Sequence, residues 1–107
     1  MTPPSKETVE AAIQSLRMDA VAWGQAGAGL RQAAIAVDGL DFDRFHFSHA
    51  GDLVGLTDMY RQVQIKVARL LGEGADNFAR VAAALTTAAD GYERDERNAV
   101  HEMLGVW

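Results

Sequence analysis

From Val9 onward, apolar or small residues recur at alternating steps of four and three: Val9, Ile13, Leu16, Ala20, Trp23, Gly27, Leu30, Ala34 and Val37. That spacing keeps one face of an α-helix apolar and is the seam of a coiled coil. Small residues at 20, 27 and 34 alternate with larger ones at 16, 23, 30 and 37, so a partner helix can approach between the bulky side chains. Pro3 and Pro4, the only two prolines, precede the run, and Thr2 or Ser5 can cap it. With Gly39 as a stop, the pattern predicts helix one over about 5–38.

The segment LDFDRFHFSHAGD, Leu40 to Asp52, breaks the period and is expected to be the connection, at about 40–51. A second run follows through Leu53, Leu56, Tyr60, Val63, Val67, Leu70, Gly74, Phe78, Val81, Leu85, Ala88 and Tyr92, and predicts helix two over about 52–90. Two successive steps of four, Leu70 to Gly74 to Phe78, mark a local change of winding. The fold expected is all-α, an antiparallel two-helix hairpin in one domain, 1–107.

Counting outward from the connection sets Trp23 opposite residues near 69, where Gly72 and Gly74 leave room for an indole. Leu16, Trp23 and Leu30 are then expected to form the hairpin seam with Leu70, Gly74 and Phe78. The same counting leaves helix two without a neighbour beyond about Ala84 to Ala88, the first few residues of the chain excepted. Residues 91–107 are therefore expected to overhang as a C-terminal helical tail. Tyr92 and Glu96 share its face with Ala99, Val100 and Met103, the recognition face of that tail. Met18, Ile35, Ile65 and Leu71 flank the seam, more apolar surface than one hairpin covers. A dimer resembling a four-helix bundle is expected, with a second copy or a related small helical protein.

Composition narrows the function. The 107 residues carry 10 basic and 15 acidic side chains, a formal net charge of -5, which offers no basic face to nucleic acid or to an anionic membrane. The absence of cysteine removes disulfides, thiolate zinc sites and cysteine nucleophiles. No stretch has the length of a membrane span, and MTPPSKETVE lacks the basic region and apolar run of a cleaved signal peptide. Asp43, His46, His49 and Asp52 are three apart throughout and would share a metal only if their segment were helical; Phe45 and Phe47 around His46 argue for an irregular chain instead. GQAGAGL, Gly24 to Leu30, lies inside a helical seam without the strand a phosphate loop needs, and no serine has a base at readable spacing. His101 reads as a surface residue of the tail. No catalytic residue, cofactor or metal is expected.

Tyr92-Glu93-Arg94-Asp95-Glu96 matches the Tyr-x-x-x-Asp/Glu export motif that follows the second helix of actinobacterial type VII (ESX) secretion substrates. The plan of the chain is similar to that superfamily: about 100 residues, no cysteine, two long Ala-rich helices and a Trp. The Ala-rich approach to the Tyr and the apolar ending LGVW most resemble the EspC-like secretion-associated proteins. The resemblance implies a WXG-like helical hairpin, cytoplasmic before export and secreted without a cleaved signal peptide. A secretion ATPase and a dimer partner would be its contacts, and Tyr92 and Glu96 its secretion signal. WXG-type members carry Trp-x-Gly between their helices, whereas here Trp23 and Gly24 are adjacent in mid-helix. Under the resemblance, the Trp half of the signal is therefore missing or must come from a partner. Without it, the residues describe a generic intracellular helical adaptor or dimerisation protein, and Tyr92 and Glu96 a helix end with solvated charges.

Overall fold

A computed structural model describes residues 4–40 and 55–105, and among them every regular element is helical. Helix α1 spans Lys6–Asp38 and α2 spans Leu56–Leu104. The N-terminus of α1 is set by Ser5, whose Oγ accepts from the Thr8 amide at 3.1 Å and satisfies one of the donors a first helical turn leaves open. Gly55 and Gly105, with φ of +84° and +69°, flank α2 in a conformation that costs other residues strain. Asp43, His46, His49 and Asp52 lie outside the described residues.

The chain divides into two compact units, Met1–Gln25 with Phe78–Trp107, and Ala26–Asn77. In the second unit the end of α1 packs against α2 in antiparallel fashion. Leu30 meets Gly74, where a Cβ would stand 3.4 Å from Leu30 Cδ1, and Arg31 pairs with Asp76. Nearer the connection, the Gln64 amide donates to the carbonyls of Val37 at 2.8 Å, Asp38 at 3.2 Å and Leu40. The first two are carbonyls that a helix end leaves without intrahelical partners, so one side chain of α2 caps the C-terminus of α1. Replacing Gln64 by Ala should lower stability by about 1–2 kcal/mol, measured by urea denaturation.

In the first unit Trp23 meets Phe78 edge to face, with centroids 4.8 Å apart and planes at 78°. Gly24 lies beside Ala82. The partner of Trp23 thus lies about one turn beyond the expected region from Leu70 to Gly74. The space at Gly72 and Gly74 is taken by Arg31 and Leu30 instead. Trp23 also remains 38% exposed. Trp23→Ala is accordingly expected to cost about 2 kcal/mol, less than the truncation of a fully buried indole, as read from thermal or urea unfolding.

The seam of α1 runs where its periodicity places it: Val9, Ile13, Leu16 and Ala20 are covered in one unit, and Gly27, Leu30, Ala34 and Val37 in the other. Helix α2 differs. Besides glycines, its covered residues are Leu56, Thr57, Gln64, Ala68, Leu71 and Ala75 in the second unit, and Phe78, Ala82, Leu85, Ala89 and Glu96 in the first; Gly74 is covered as well. Tyr60, Val63, Val67, Leu70, Val81 and Tyr92, all expected in the seam, are exposed. Only Gly74, Phe78, Leu85 and the opening Leu56 coincide with the expectation. Most of the true seam is rotated by one residue, about 100° around the helix. Close approach at the small residues of α1 favours alanine as the facing side chain and turns the larger Val and Leu residues aside.

Candidate recognition site

The candidate site lies within the first unit, where the opening turns of α1 meet the last turns of α2. The overhang expected from counting does not occur. Helix α2 continues through Gly91 to Leu104, and the N-terminal half of α1 lies alongside residues 90 to 101. In the second unit, Gln64 reaches the end of α1, so it is the first two turns of α2 that run past α1.

Three features define the site. Arg17 is a clamp: its guanidinium bonds Asp90 at 2.9 Å and also bonds Glu93. The hydrogen bond to Asp90, then that to Glu93, raises the pKa of Arg17, favouring its charged form further. The group is partly solvated, so the clamp is open to screening by salt. Tyr92 is 57% exposed and lines a cleft of about 490 Å³ with Thr8, Val9, Ala12, Leu16 and Asp19 of α1. Glu96 lines a second cleft, of about 510 Å³, with Lys6, Glu10, Ile13, Val100 and His101.

The α1 residues lining the two clefts are different sets on opposite flanks of that helix. Helix α1 therefore passes between Tyr92 and Glu96, which the sequence places on one free face. The two are also unequal. Glu96 is half-buried, and its Oε1 is shielded from solvent with no hydrogen-bond partner among the described residues. Leaving a buried acceptor unpaired costs about 1–3 kcal/mol. Of the tail face, Val100 reaches the Glu96 cleft at 39% exposure, while Ala99 and Met103 are exposed.

Apolar cover thins out along this stretch. Ala89 is fully buried, and from Tyr92 to Gly105 every residue except Glu96 is exposed. The last turns of α2 are thus held chiefly by the ion pairs of Arg17, with Ile13 and Val100 lining the cleft beside Glu96. Nothing in the sequence pattern pointed to Arg17, which lies one step from the seam residue Leu16; only its partners at 90 and 93 reveal it.

No protein-family model, no curated protein and no solved structure matches this chain.

Proposed function

We propose that the chain is a small helical interaction module of the type VII secretion class, a substrate or secretion-associated pairing partner exported through Tyr92 and Glu96. Its work in this reading is recognition, not catalysis. One observation supports it above the others: a Tyr-x-x-x-Glu sequence stands on the last turns of a long helix, past the last fully buried residue, with Tyr92 open to a partner. Tyr offers a rigid contact and a hydroxyl, and Glu96 a charge one turn on. Export would proceed from the cytoplasm without a cleaved signal peptide, with a secretion ATPase as reader. Among the described helices none is long and apolar enough to cross a membrane.

Pairing belongs to the same proposal. Tyr60, Val63, Val67 and Leu70 form an exposed stripe on α2, about 100° from the seam toward α1. A helix of a four-helix bundle touches two neighbours on adjacent faces, and these are the two faces α2 presents. The partner is a second copy or a related small helical protein.

The test is to substitute Tyr92→Ala and Glu96→Ala separately in the native host and compare protein in lysate and medium. Export should fall sharply in both while lysate levels and helical content hold. Undiminished export in both would leave a generic helical adaptor as the better account.

A further inference from the structure

We infer that α1 is an intramolecular cover over the export signal, latched by Arg17, and that the last turns of α2 must part from α1 before Tyr92 and Glu96 can be read together. The inference rests on the signal reading above and adds a regulatory step to it. A single protein surface reaching both residues of the pair would collide with α1, because Tyr92 and Glu96 open into clefts on opposite flanks of that helix. Glu96 is the hidden member, with Oε1 shielded from solvent. The pair becomes one continuous face only when α1 is out of the way.

The same segment is built to open. Past Ala89 the helix has little apolar cover, and regions with few buried apolar contacts open first. What holds it is chiefly the clamp of Arg17 on Asp90 and Glu93, two ion pairs at the surface. The clamped arrangement leaves a carboxylate oxygen of Glu96 without a hydrogen-bond partner among the described residues, and opening returns that oxygen to water. A closed state held by a few solvated ion pairs, and opposed by one unsatisfied acceptor, is a latch with a small gap between its two positions. Opening would also bare Ile13 and Val100, which supply an apolar contact for the reader next to Glu96.

The experiment compares Arg17→Ala with wild type and with Arg31→Ala, which breaks the separate ion pair to Asp76 in the other unit. Asp90→Asn/Glu93→Gln removes the same clamp from the opposite side, so that the idea does not hang on one variant's folding. In purified protein, amide hydrogen exchange over residues 97 to 104 should quicken roughly threefold on loss of the clamp, the scale of a surface ion pair, and stay unchanged in Arg31→Ala. In the host, both clamp variants should export faster than wild type, and Arg17→Ala/Tyr92→Ala should fall to the level of Tyr92→Ala alone. Unchanged exchange in the clamp variants overturns the latch. Faster exchange with equal or slower export overturns the cover while leaving the signal intact. Export indifferent to Tyr92→Ala overturns the signal reading itself, and the cover with it.

Discussion

Ala89→Asp should cost the protein about 3–5 kcal/mol, while Ala88→Asp, one residue earlier, should cost about 0.5 kcal/mol. Ala89 has no exposed surface, and a carboxylate there would be buried without a counter-charge, since Arg17 is already engaged by Asp90 and Glu93. Ala88 faces solvent, so its substitution forfeits only helix propensity. Against a total stability on the order of 5–10 kcal/mol, the first change removes a large share of the folding free energy. Urea denaturation followed by circular dichroism reads both variants in one experiment. Equal losses would mean that α2 is not seated on Ala89, and a larger loss at Ala88 would restore the register expected from periodicity.

That pair of residues shows where periodicity stops being informative. On α1 the apolar positions from Val9 to Val37 form one stripe on an otherwise more polar helix, and the stripe is the seam. On α2 there are two apolar stripes about one residue apart, one of larger side chains and one mostly of alanine. Hydrophobicity favours the larger set, Val63, Val67, Leu70 and Val81. Packing against the small residues of α1 instead takes Ala68, Ala75, Ala82 and Ala89 inside. A one-dimensional pattern can show that both stripes exist, yet the choice between them depends on the facing helix.

The site was legible to a similar degree. Tyr92 and Glu96 stand out in the sequence as a spaced pair, and the structure places both on the last turns of α2. Their surroundings were not legible, because the alignment of the two helices depends on where α2 comes alongside α1, and the aperiodic connection does not fix that. Gln64 settles the alignment in the second unit by capping α1, and a glutamine amid valines and isoleucine gives no warning of that role. Nor does anything in a sequence say that the carboxylate of the pair will be the half-buried member, in a cleft shared with Ile13.

Val67→Glu should weaken self-association on the order of 100-fold while leaving the helical content of the monomer unchanged. The residue is 38% exposed and stands in the middle of the stripe from Tyr60 to Leu70, so a charge there disturbs little within the chain. In a bundle it would be removed from water on both sides, and an unpaired carboxylate in such a setting costs several kcal/mol. A loss of about 2.7 kcal/mol corresponds to that hundredfold change. Ile65→Glu is the informative companion. Ile65 is 55% exposed on the opposite flank of α2, away from the stripe, in a surface groove shared with Ile35, Asp38, Arg31 and Arg69. It should therefore leave association nearly intact. Sedimentation across a concentration series distinguishes the two, because a dimer dissociates on dilution and a monomer does not. Wild-type protein that stays monomeric well above about 10 micromolar would remove self-pairing. A stable heterodimer with a small helical protein, abolished by Val67→Glu, would then assign the same stripe to a different partner.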